Sequence, residues 1–153
     1  MSNRRLAAWV LMLALVALPV WVDIAAKKGE PKEPEPGVVV VQHILISFKG
    51  KVDKSKGVTR TKKEAEALAT DLFERAKTED FDALVKEYSN DAYPGIYKMT
   101  NKDAPIMTGA VPRSGMVPAF GDVAFKLAVG EVGMANYSGG SSPYGWHIIK
   151  RLS

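Results

Sequence analysis

Ser114-Gly-Met-Val-Pro-Ala-Phe-Gly-Asp-Val-Ala-Phe-Lys-Leu-Ala-Val-Gly-Glu-Val-Gly133, followed shortly by Tyr144-Gly-Trp-His-Ile-Ile-Lys150, is the stretch whose reading decides the fold. Pro118 suits the first turn of a helix, where its missing N–H is no loss and its fixed φ is already helical. Phe120, Val123, Ala124 and Leu127 then recur at three- and four-residue spacing, and Gly130 stands where a left-handed cap would stop the run. The spacing predicts a helix from Pro118 that ends at Gly130. Met116 and Phe120 flank its start and offer a thioether and an aromatic face around a small apolar hollow.

On the far side of this helix, Glu131 to Tyr137 reads as a weak strand, Ser138-Gly-Gly-Ser-Ser-Pro143 as a turn, and Gly145 to Leu152 as a strongly apolar strand. On the near side, Gly109 to Arg113 holds a short edge strand, a place that tolerates Pro112. Ala92 to Thr108 carries two prolines, a glycine and no period, and is expected to be a loop with at most one helical turn. Before it, Thr61-Lys-Lys-Glu64 is a capping box that opens a helix striped by Ala65, Leu68, Ala69, Leu72, Phe73 and Ala76. A second, shorter helix is lined by Phe81, Leu84, Val85 and Tyr88 and ends at Ser89-Asn-Asp91. Val38 to Phe48 is apolar on both alternating faces, as expected of a central strand buried on both sides. The basic run Lys49 to Arg60 that follows has no apolar period and is expected to be a mobile loop. The expected order is β-α-α-loop-β-α-β-β, an α+β domain over 38–153.

The remainder is set apart by composition. Leu6 to Val22 is 17 residues without a charge, preceded by Arg4 and Arg5, a membrane-targeting pattern. Residues 1–26 are expected to be either a retained signal anchor or a signal peptide cut after Ala26, and both readings export the domain to the cell envelope. Residues 27–37 mix charge with three prolines and read as an extended linker. The chain has no cysteine, which removes disulfides, thiolate catalysis and cysteine zinc sites, and only two histidines, which speaks against a histidine-rich metal site. No metal or cofactor is expected. Val38–Ser153 carries 16 Lys and Arg against 13 Asp and Glu, too mild an excess for a dedicated nucleic-acid binder.

The two histidines stand in matching contexts, Gln-His43-Ile-Leu-Ile and Trp-His147-Ile-Ile-Lys, each within an apolar strand. If the first and last strands pair, the imidazoles become cross-strand neighbours, able to bond each other or a carboxylate. Asp91 reads equally well as a helix-end or turn residue.

With these residues assembled, the chain resembles the parvulin-type peptidyl-prolyl cis/trans isomerases. The likeness rests on Val-Gln-His43-Ile-Leu-Ile, the Thr61–Ala76 helix, Phe81 through Ser89, Gly115-Met-Val-Pro-Ala-Phe120, Ala124-Phe125, Val129-Gly-Glu-Val132 and Gly145-Trp-His147-Ile-Ile-Lys. It implies a four-stranded, mainly antiparallel sheet wrapped by helices, with the first and last strands adjacent in the centre. It also implies isomerisation of Xaa-Pro bonds in proline-containing polypeptides of the envelope or exported to it, the alternative being a non-catalytic parvulin-like module that binds chains. By the same resemblance the catalytic group falls on His43, Asp91 and His147. The proline pocket falls on Met116 and Phe120, supported by Phe125, and Ser142 lies where members often place a hydroxyl. The family's Gly-Gly-x-Leu-Gly strand has no match here; Ile106-Met-Thr-Gly-Ala110 stands in its place, which leaves Met107 as the substitute for the leucine wall.

Overall fold

The computed structural model describes residues 34–153, so the expectations for the N-terminal apolar segment and most of the linker lie outside the described residues. The elements are β1 (Val38–Ile46), α1 (Lys62–Arg75), α2 (Phe81–Tyr88), β2 (Ile96–Thr100), β3 (Val111–Pro112), α3 (Pro118–Ala124), β4 (Val132–Ala135) and β5 (Trp146–Arg151). Single 3-10 turns lie at Lys54–Lys56 and Arg113–Gly115.

The strands form one sheet in the order β3-β2-β1-β5-β4, with every pairing antiparallel except β2 with β3. β1 is therefore central and β5 adjoins it. Side chains alternate across β1, and both faces are covered. Ile44 and Ile46, with Trp146 and Ile148 of β5, pack against Ala65, Ala69 and Leu72 of α1 and Phe81, Leu84 and Val85 of α2. Val39 and Val41, with Met99 of β2 and Ile149 of β5, pack against Phe120 and Ala124 of α3 and against Phe125 just after it.

α1 begins as its capping box requires, with Thr61 Oγ1 accepting from the Glu64 N–H while the Glu64 carboxylate accepts from the Thr61 N–H. Asp80 caps α2 by accepting from the N–H groups of Asp82 and Ala83. Both helices fall where the apolar stripes place them.

Two expectations are corrected. The sheet has five strands, because Ile96–Thr100, within the stretch expected to be a loop, is β2. Only Met99 and Thr100 of that strand are buried, so its apolar pattern is faint; its backbone is held instead by the full register with β1, Val38 against Thr100 through Gln42 against Ile96. The second correction concerns α3, which stops at Ala124 with Phe125 as its cap rather than at Gly130. Gly130 does take the left-handed conformation, φ +85°, but in a separate turn, where its N–H bonds the Arg151 carbonyl. That turn is closed by Glu131, whose carboxylate accepts from the Ala128 N–H, and it brings β4 alongside β5.

Candidate active site

In the antiparallel β1–β5 register His43 faces Ile149 and Leu45 faces His147, so the histidines are diagonal neighbours on the sheet face that α3 covers. Their rings stack with centroids 5.4 Å apart and planes 19° apart, and the two Nδ1 atoms approach to 3.3 Å. Both are buried, at 2% and 3% exposure. Phe120 of α3 lies behind them, edge-on to both imidazoles at 5.1 and 5.4 Å.

Asp91 reaches this pair from the end of α2, with its Oδ2 3.0 Å from His43 Nε2. The backbone that delivers it is laced to the end of β1. Ser89 Oγ accepts from the N–H groups of Leu45 and Asp91, the Asn90 N–H bonds the Leu45 carbonyl, and Asn90 Oδ1 accepts from the Ser47 N–H. Arg60 adds its guanidinium to Asn90 Oδ1 and the Ser47 carbonyl, so this end of the basic run is fastened rather than free. Nearby, Gly95 has φ +65° and donor and acceptor meet closely, its carbonyl accepting from the His43 N–H; a Cβ there would come within 2.8 Å of the His43 carbonyl oxygen.

These contacts set the charge state. The hydrogen bond from His43 holds the Asp91 carboxyl well below the usual carboxylate range, with the Ala92 N–H and the Tyr97 hydroxyl adding to it against burial. Burial pushes His147 down to about 3, with His43 adding to the shift and Asp91 opposing it, so this ring is uncharged at neutral pH. For uncharged rings, His43 Nε2–H donates to Asp91 and the proton between the facing Nδ1 atoms belongs to His147. His147 Nε2 is then an acceptor, and it is buried without a hydrogen-bond partner among the described residues.

A cavity of about 890 Å³ opens over this group. His43 and His147 form its floor, Met116, Val117 and Pro118 one wall, Asp91 and Tyr97 another, and Gly50 to Asp53 with Lys56 and Tyr144 its rim. The structure thus brings together His43, Asp91, His147 and Met116. Phe120, at 1% exposure, backs the floor without lining the cavity, and Phe125 is buried under the Arg113 guanidinium, 5.0 Å from its ring. Ser142 is buried within the β4–β5 connection, its hydroxyl donating to the Gly145 carbonyl at 2.8 Å. Met107 stands 42% exposed in the β2–β3 loop and does not line the cavity. Two contributors escaped the sequence reading. Tyr97 sits in the unrecognised β2, whose sequence IYKMT carries no clear alternation, and the basic run from Gly50 to Lys56 reaches the cavity only through tertiary packing.

Residues 25–152 match the family model of the PPIC-type PPIASE domain. Over 86 residues the chain is 40% identical to the foldase protein PrsA of Caldanaerobacter subterraneus, covering 56% of this chain and 24% of that protein. It is 36% identical over 118 residues to the peptidyl-prolyl cis-trans isomerase ESS1 of Saccharomyces cerevisiae, covering 72% of this chain and 62% of the relative. The chain therefore spans about a quarter of one curated relative and under two thirds of the other. Among solved structures, the solution structure of TbPIN1 is similar with a TM-score of 0.56 at 19% identity, covering 76% of this chain and 98% of that one, a likeness of fold.

Proposed function

The chain belongs to the parvulin, or PPIC-type, family of peptidyl-prolyl isomerase domains, and from that premise we propose that it catalyses cis/trans isomerisation of Xaa-Pro bonds in polypeptides. The observation that carries this reading is the Asp91–His43–His147 chain, whose two buried imidazoles floor an open cavity that Asp91 and Met116 also line.

Rotation about a peptide bond faces about 18–20 kcal/mol because resonance holds the bond planar. No covalent step is needed to lower it. The proline ring rests against Met116 above the imidazoles, with Phe120 and Phe125 keeping α3 in place behind them. The preceding carbonyl leaves water as it enters, which disfavours the charge-separated planar form relative to the less polar twisted one. Each 1.36 kcal/mol gained in the twisted state is about tenfold in rate. His43, Asp91 and His147 set the field and the hydrogen bonds at the floor and do not act as nucleophiles. Ser142 secures the adjoining loop through Gly145.

Exchange spectroscopy on a short Xaa-Pro peptide with the full chain tests the assignment. Faster exchange that is lost in Met116→Ala and His43→Ala supports it, whereas peptide binding without faster exchange replaces it with a binding module. The apolar Leu6–Val22 segment behind Arg4 and Arg5 supports clients at the cell envelope, and the likeness to a protein called a foldase supports folding chains as those clients. Cell fractionation separates the two fates of the N-terminus: a membrane-bound full-length chain indicates a signal anchor, and a shortened soluble product indicates cleavage after about Ala26.

A further inference from the structure

We propose that Tyr97 is a further working residue of this site, its ring a wall of the proline-binding cavity and its hydroxyl a positioning group for the Asp91 carboxylate. The inference rests on the isomerase reading of the cavity given above. Tyr97 pairs directly with Val41 in the β1–β2 register, which turns its side chain to the sheet face that carries both histidines. Its ring is tilted against His43 at 5.4 Å and edge-on to Phe120 at 6.1 Å, and it lines the cavity that Met116 also lines. Its ring is thus packed against two aromatic neighbours while part of it stays accessible from the cavity.

The hydroxyl is not idle. It donates at 3.1 Å to Asp91 Oδ2, the same oxygen that accepts from His43 Nε2 at 3.0 Å. A carboxylate oxygen held by two donors from two different strands cannot turn away without losing both bonds, so the cavity wall and the orientation of His43 are mechanically joined. A tyrosine present only to fill the core would need neither access to the cavity nor a carboxylate partner. The flat apolar ring matches the face of a pyrrolidine, which makes Tyr97 a determinant of how the proline is seated.

Asp91 is faced by His43 from β1, by Tyr97 from β2, by His147 of β5 beyond His43, and across the cavity by Lys51, Asp53 and Lys56 of the basic run. Of these, Tyr97→Phe removes one donor and leaves the others. The test uses the full chain as wild type, Tyr97→Phe, Tyr97→Leu and Tyr97→Ala, with the peptide Ala-Ala-Pro-Phe as probe. Its readouts are peptide affinity, exchange rate at saturation, and the pH titration of the Asp91 carboxyl carbon resonance. Tyr97→Phe is expected to bind within about twofold of wild type, to isomerise about three- to tenfold more slowly, and to titrate Asp91 at a higher pH. Tyr97→Ala is expected to bind at least about tenfold more weakly. Tyr97→Leu restores part of that binding but leaves the Asp91 titration raised. Wild-type affinity in Tyr97→Ala overturns the wall, and an unchanged rate and Asp91 titration in Tyr97→Phe overturn the positioning role. A wild-type chain that neither binds the peptide nor speeds its exchange overturns the isomerase reading itself and takes the wall with it.

Discussion

Asp91 shows how little of a residue's role its type reveals. In sequence it is one of three polar residues after a helix; in the fold, Ser89 and Asn90 spend their side chains on the β1 backbone so that the next carboxylate meets His43. Asp91→Asn keeps the size and removes the charge, and an amide facing His43 Nε2 can present its N–H₂ and reverse the tautomer. Isomerisation measured by peptide exchange is expected to fall about 10- to 100-fold while the circular dichroism spectrum is unchanged. Gly95 is a different case, since its φ of +65° and its contact with the His43 backbone exclude a side chain. Gly95→Ala is expected to cost about 1–3 kcal/mol, read as a lower urea midpoint with an unchanged slope. The two histidines were legible because their strand contexts match. Tyr97 was not, because nothing local to Ile96–Thr100 discloses that β1 will pair with it.

At the level of elements, the start of α3 is pinned from several sides. The Arg113 guanidinium bonds Glu35, the Asn101 side chain and Asp122 of α3, while its own side chain, 10% exposed, covers Phe125. The Ala119 N–H bonds the Ser141 carbonyl from the β4–β5 connection. Residues that the sequence assigns to a linker are thus fastened to the domain beside α3, since the Gly37 carbonyl and the Pro36 carbonyl accept from Asn101 as well. Arg113→Ala removes packing and two ion pairs together and is expected to cost about 1–3 kcal/mol, read by urea unfolding, with a shifted Met116 methyl resonance. Glu35→Gln keeps a hydrogen bond and exposes only a surface-like pair, so its cost is expected to stay within about 1 kcal/mol. The early end of α3 has the same origin: apolar spacing continued to Leu127, but the closing turn at Glu131 and the pairing of β4 with β5 fixed where the helix must stop.

For the molecule as a whole, the buried group makes stability depend on pH in a definite direction. An unfolded chain protonates His147 near its ordinary 6.5, but the folded chain does so only near 3. Between those values the unfolded state binds the extra proton, so stability falls as pH drops below about 6.5. Asp91 acts in the same sense further down, its contribution lost as pH falls below the ordinary carboxylate range. The unfolding free energy from urea titration is expected to be level above pH 7 and to decline below 6.5, by on the order of a few kcal/mol by pH 4, and His147→Gln is expected to flatten the upper part of that decline. A stability that stays level to pH 4 would contradict an uncharged, buried His147. What the sequence by itself determined is whatever is written in short-range pattern: the capping box and stripe of α1, the two-sided apolar β1, the matched histidine contexts, and the turn before β5. Those features act through hydrogen bonds and burial within a few residues, so they survive without knowledge of the fold. What only the tertiary structure decided is the fifth strand, the length of α3, and the meeting of Asp91, Tyr97, the histidines and the basic run at one cavity. Each of these depends on backbone pairing or packing between segments distant in the chain, and such contacts leave no periodic trace in the residues that make them.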